Sequence, residues 1–202
     1  MLNKNFVAYV AIVGFALINS APVKALDFKL ITQNPVQGSM IIGQVIGEGE
    51  VAFNQRKLSR TKDGKVVFGV GRDSDEIVYI KLISTNGQSK SVPISVKPRK
   101  WKIERVDGLP PSKVNPVGDD VLKRIRNEGK LVKDARAKAS KLEHFLDEFI
   151  LPAKGRISGV YGSQRVLNGQ PKRPHYGLDV ANITGTPVIA PIDGVVTLVH
   201  KD

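Results

Sequence analysis

Between Leu26 and Val96 the apolar residues come in short runs with a period of two, punctuated by glycine and Asx-Gly pairs. Val78, Ile80 and Leu82 alternate with Tyr79 and Lys81, and Asn86-Gly87 leads into Val92, Ile94 and Val96. Val66–Val70 follows Asp63-Gly64, while Ile41-Ile42, Val45-Ile46 and Val51/Phe53 are apolar clusters separated by glycines. A period of two places alternate side chains on one face of a strand. Asx-Gly between two alternating runs is a strong hairpin signal. The pattern predicts a small all-β module over residues 26–97, built as a sandwich. Pro93 cannot donate to a ladder, which predicts an edge position for its strand.

The N-terminal 25 residues read differently. Lys4 and the α-amine form a short positive region, Phe6–Ile18 is an apolar run, and Val23-Lys24-Ala25 resembles a small-residue cleavage site. The run is short of the ~20 residues that a bilayer core requires. Residues 1–25 are therefore expected to be a signal peptide, with the mature chain exported to the periplasm or cell envelope. An uncleaved signal would leave a membrane tether. The sequence contains no cysteine, so an exported chain of this kind must rely on its core or on a metal for stability. Its formal net charge is +12, which favours adsorption to a polyanion such as nucleic acid, lipid headgroups or a carboxylate-rich cell wall. Export argues against nucleic acid as the natural partner.

Residues 98–118 form a basic, proline-rich connector in which Trp101 and Ile103 are expected to pack onto a domain. Asp119 or Asp120 is positioned to cap a helical segment over 119–150. There Val121, Ile125, Val132, Ala135, Ala139, Leu142, Leu146 and Phe149 recur every three to four residues. Gly129 is expected to weaken it into two helices. From Gly155 the period returns to two, and Pro187–Ala190 and Val195–Val199 flank Asp193-Gly194 as a predicted hairpin. The fold class is thus mainly β with a helical segment.

Chemistry concentrates in Arg173-Pro174-His175-Tyr176-Gly177-Leu178-Asp179. An imidazole and a carboxylate are ligand types that a hydrolytic zinc uses. On a straight strand residues four apart lie ~13 Å from each other, so a shared metal requires a bend, and Gly177 is the residue expected to permit it. Pro174 holds the approach to His175 extended. The spacing by itself is equally compatible with a surface histidine and a solvated aspartate.

The surrounding residues add to this. Gly155-Arg156-Ile157-Ser158-Gly159-Val160-Tyr161-Gly162-Ser163-Gln164-Arg165, Asn168-Gly169, His175–Asp179 and Gly185–Val196 together resemble the lysostaphin-type, LytM-like zinc metallopeptidases. Phe68-Gly69-Val70-Gly71-Arg72-Asp73 and Val106-Asp107-Gly108-Leu109-Pro110 are similar to the β module and linker of the Gram-negative branch of that family. The resemblance implies a zinc metalloendopeptidase acting on peptide cross-links of peptidoglycan, with His175 and Asp179 as the first two metal ligands. It also implies that Arg173, Gly177, Gly185 and Pro187 support the site, the last two within a hairpin over Gly185–Gly194.

The family pattern continues with a His-Leu segment and a His-x-His pair, which carry the third ligand and the histidines that manage protons and the oxyanion. Residues 155–202 therefore correspond to the N-terminal half of a LytM-type domain, and this chain is expected to be an incomplete, inactive copy with a weak zinc site. A second polypeptide would be needed to complete it. His144 and His200 fall outside the family positions and are expected to be solvated. The alternative function is a non-catalytic peptidoglycan-binding or amidase-regulating module of the same family.

Overall fold

The computed structural model describes residues 25–115, 118–138 and 140–201. The proposed signal peptide lies, except for Ala25, outside the described residues. The chain is mainly β with a helical segment.

The N-terminal module consists of β1 (Asp27–Leu30), β2 (Met40–Ile46), β3 (Gly49–Phe53), β4 (Arg56–Lys57), β5 (Lys65–Gly69), β6 (Ile77–Ser84) and β7 (Ser89–Ser95). They form two sheets, β1-β2-β5 and β4-β3-β6-β7, with every pairing antiparallel. The period of two explains the layering. Ile41, Val45, Val66 and Phe68 from one sheet meet Val51, Phe53, Ile80, Leu82 and Ile94 from the other in a single buried cluster. Each such aliphatic side chain contributes about 1.5–3 kcal/mol by leaving water. Val36, between β1 and β2, forms a parallel bridge with Lys97, just after β7, and so ties the module's C-terminal end to the β1–β2 connection.

Local signals account for several details. Asn86-Gly87 closes the β6–β7 hairpin: Gly87 has φ +83° and Gln88 N–H donates to Asn86 Oδ1 at 3.1 Å. Pro93 lies on β7, the edge strand of its sheet. Asp63-Gly64, by contrast, does not close a hairpin. It precedes β5, whose partner is β2, whereas β4 belongs to the opposite sheet, so this turn carries the chain between layers. The apolar clusters of residues 41–46 are one continuous strand. Gly43 lies beneath the Phe28 ring, where a Cβ would overlap it.

The connector is more structured than its composition suggests. It contains β8 (Ile103–Val106) and a single helical turn, α1 (Pro111–Val114). Strand β8 pairs in parallel with β10 (Gln164–Leu167), which pairs with β11 (Gln170–Pro171) through a turn at Asn168-Gly169 where both residues have positive φ. Ile103 is half exposed rather than packed; Trp101 carries the packing.

Helix α2 covers Asp119–Arg136 and buries none of its residues. Three expectations are corrected here. The N-cap is Gly118 without a side-chain hydrogen bond, and Asp119 and Asp120 occupy the first turn, where they face the positive end of the helix dipole. The helix runs through Gly129 unbroken, aided by Arg124–Glu128 and Lys130–Asp134 ion pairs one turn apart. It also stops at Arg136 instead of reaching Ile150. Ser140 Oγ accepts the Leu142 N–H, a local bond that competes with helical pairing, and only a short 3-10 turn at His144–Leu146 follows.

The C-terminal segment pairs β9 (Arg156–Gly159) with β12 (Asp179–Ala181), antiparallel, with a bulge between Asp179 and Val180. The hairpin expected over Pro187–Ala190 and Val195–Val199 is not formed: the described residues after Ala181 contain no strand. Pro187 and Pro191 lack donors, and Val188, Val195, Val196 and Val199 are each more than two-thirds exposed, so no packed face holds a pairing in place. The segment is tied instead by Ile189 N–H to Pro152 O and Ile150 N–H to Pro191 O.

Candidate metal centre

His175 is held by its backbone. Its N–H donates to Ser163 O at 2.8 Å, and its carbonyl accepts from Gly162 N–H at 2.7 Å. The turn at Tyr161–Ser163 is compact because Gly162 has φ +84° and presents no side chain to Trp101, whose ring lies where a Cβ would stand. Tyr161 lies between two aromatic neighbours, Trp101 at 6.0 Å and Tyr176 at 5.8 Å between ring centroids.

Asp179 is placed by the β9–β12 pairing opposite Gly159. Its carboxylate lies across that residue: a Cβ at Gly159 would be 3.0 Å from Asp179 Cγ and closer still to Oδ2. Sequence reasoning included Gly159 only within a longer motif. Its local role has no pattern of its own, because a glycine that makes room for a cross-strand carboxylate looks in sequence like any other glycine.

The chain bend brings His175 Nε2 to 3.2 Å from Asp179 Oδ1. Although the two atoms are close, their alignment does not make a hydrogen bond. Nε2 is turned away from solvent and has no hydrogen-bond partner, even though the ring as a whole is a third exposed. Two ligands on a tetrahedral zinc, each ~2.0–2.1 Å from the metal, stand roughly 3.3 Å apart. The pair thus fits two positions of such a site, with the orphaned Nε2 as one donor. Among the described residues no group of three or more His, Cys, Asp or Glu side chains converges on a common point.

The supporting residues divide. The Arg173 guanidinium lies over the Tyr176 ring at 5.3 Å and lines the cleft beside His175. Gly177 is at the bend, but its φ lies outside the left-handed region and a Cβ there would touch the His175 ring at an ordinary 3.6 Å. The bend therefore does not require glycine, which corrects the sequence argument. Gly185 has φ +92° in a turn closed by Thr186 N–H to Ile183 O. It and Pro187 do not line the cleft and lie in no hairpin. His144 pairs with Asp147 at 2.9 Å, a partner the sequence reading did not foresee, and His200 is exposed.

The cleft, about 840 Å³ in volume, is edged by Lys102, Arg136, Arg165, Lys172 and Arg173. Glu104 and Asp179 are its carboxylates. Arg165 is engaged with Glu104 across the β8–β10 pair at 3.2 Å. The balance is cationic and favours an anionic ligand. A larger cleft, about 1190 Å³, lies between Gly49–Gly69 and Ser140–Phe145, shares no lining residue with the His175 cleft, and is lined by no histidine.

In comparison with known proteins, the sequence matches no family model and no curated protein.

Proposed function

We propose that this chain carries the first two ligands, His175 and Asp179, of a zinc metalloendopeptidase site of the lysostaphin, LytM-like type, directed at peptide cross-links of peptidoglycan. The single observation that carries the reading is the His175 Nε2–Asp179 Oδ1 separation of 3.2 Å together with an Nε2 that is desolvated and unbonded. An imidazole nitrogen turned from solvent whose neighbouring carboxylate oxygen, 3.2 Å away, makes no aligned hydrogen bond is costly to leave so, and a cation bound between the two would satisfy both. The cationic rim supports the substrate class, since peptidoglycan stem peptides carry free carboxylates and Lys102, Arg136 and Arg173 edge the same cleft. An exported location follows from residues 1–25 and belongs to the same proposal.

Zinc, when bound, would supply the Lewis acidity that polarises a scissile carbonyl and activates water. The chain's own contribution is positional. The Gly162 and Ser163 backbone holds His175, the bulged β9–β12 pair holds Asp179, and the basic edge orients an acidic peptide.

The test is a zinc titration of the full chain followed by NMR of the His175 imidazole. Weak, saturable shifts at His175 that disappear in Asp179→Ala are expected. Zinc binding that survives both His175→Ala and Asp179→Ala would overturn the assignment. Incubated alone with peptidoglycan and zinc, the chain is expected to release no muropeptides, because the described residues bring together only two donors. Joined to the C-terminal half of a LytM-type domain, it should cleave in a chelator-sensitive way. A folded chimera that binds peptidoglycan yet stays inert would instead favour the non-catalytic, amidase-regulating alternative.

A further inference from the structure

The residue that fixes the histidine is not in the histidine's own segment. Arg72 lies just after β5 in the N-terminal module, and its side chain is only 9% exposed. Its Nε–H donates to Gly162 O at 2.8 Å and its terminal nitrogen to Gln164 Oε1 at 3.2 Å. Both acceptors pass the restraint onward. Gly162 N–H donates to His175 O at 2.7 Å, and Gln164 Nε2 donates to Lys172 O at 2.7 Å. One guanidinium therefore holds the strip Lys172–His175 at both ends, each through one intermediary. Asp73, 2.6 Å from the guanidinium, and the Trp101 ring, 5.4 Å below it, hold the guanidinium in turn. Trp101 lies against Gly162 on one side and near Gly38 of the β module on the other.

We infer that Arg72 is a positioning residue for the proposed metal centre: through Gly162 and Gln164 it sets where His175 Nε2 stands relative to Asp179. The inference rests on the zinc reading above. Two independent donors in fixed fork geometry suit arginine, while lysine would supply a point charge and at most one of the two bonds in this arrangement. Groups that orient metal-ligating side chains commonly alter affinity by 10- to 100-fold when removed.

Three full-length variants test it: Arg72→Met, Arg72→Lys, and Ile80→Val as a control that loosens the core without touching the tether. Amide exchange at Gly162 and His175 and the zinc-dependent shift of the His175 ring are measured in each. Arg72→Met is expected to speed exchange at those two amides and to weaken zinc binding by about 10-fold or more. Arg72→Lys should recover only part of either effect, and Ile80→Val should change neither locally. Unchanged exchange at both amides in Arg72→Met overturns the tether whatever zinc does. Faster exchange with zinc affinity within twofold of the parent overturns the positioning role. If the parent shows no zinc shift at His175, the metal reading fails first, and the exchange arm still reports separately on whether Arg72 holds the strip.

Discussion

The β module and the segment that carries His175 and Asp179 differ most in what covers them. In the module, two sheets face each other across one core, and residues such as Ile41, Val51, Val66 and Ile80 are wholly buried. Beyond Gly155, Val166 is the sole buried apolar side chain among the described residues, while Ile183, Val196 and Val199 are each 79% exposed. The first region is stabilised by its own interior. The second has two short strand pairs of its own, β9–β12 and β10–β11, and leans for the rest on outside contacts: β8 beside β10, Trp101 against Gly162, and Arg72 on Gly162 and Gln164. His175 and Asp179 thus stand on the part of the chain with little core of its own, and part of their geometry comes from contacts with the module and the connector.

The contrast should be plainest in core truncation. Ile80→Ala is expected to destabilise the chain by about 2–5 kcal/mol in urea unfolding, whereas Val188→Ala should stay within about 0.5 kcal/mol. Equal losses at the two sites would mean that the C-terminal segment has a core of its own. Next in size, Gly162→Ala attacks the joint. The left-handed backbone and the clash with Trp101 should cost about 1–3 kcal/mol. Because Trp101 is the only tryptophan, its fluorescence should report the joint loosening before the sandwich melts. A single coincident transition would erase the distinction between the two regions.

Gly159→Ala sharpens the comparison further. It displaces the Asp179 carboxylate while leaving the module intact, so the zinc affinity proposed for His175 should fall about 10-fold with little change in the main unfolding transition. The smallest effect lies on the module's surface. The Phe28 backbone N–H, and then Lys90 by hydrogen bond and charge, hold the Asp27 carboxyl below its ordinary 3.8. A depressed folded value means that the interaction is fully present above 3.8 and is lost as pH falls through the folded midpoint. Lys90→Gln should raise the Asp27 midpoint seen by NMR without returning it fully, because the backbone bond remains. No change would show that the Lys90–Asp27 pair is not formed in solution.

How much of this the sequence disclosed follows the same division. Alternation at Val78, Ile80 and Leu82 marks a face, and Ile80 and Leu82 are on it; Pro93 marks an edge, and β7 is one. These signals are local, since neighbouring residues carry both the strand and its orientation. The helix was legible at its start but not its end, because a three-to-four spacing through Leu142 and Phe149 describes a stripe and not whether any surface receives it. Leu142, Phe149 and Ile150 remain about half exposed. Asn168-Gly169 held a readable hairpin signal within what looked like a loop. The roles of Arg72 and Gly159 were beyond reach, since each depends on a partner distant in sequence and neither leaves a periodic trace.

The parallel pairing of β8 with β10 has a consequence in time. Glu104 and Arg165, which face each other there, are 61 residues apart. The chain between them includes all of α2, and closing so long a loop costs entropy before the contact returns anything. Within the sandwich the strand pairings span shorter loops, from the tight β6–β7 hairpin to Gly49 opposite Ser84 in β3–β6, so their closure costs less entropy than that of β8 with β10. The pairing of β8 with β10, which backs the cleft around His175, is therefore expected to close late in refolding. A nascent chain emerging N-terminus first would already carry a finished Arg72 anchor by the time Gly162 arrives to meet it.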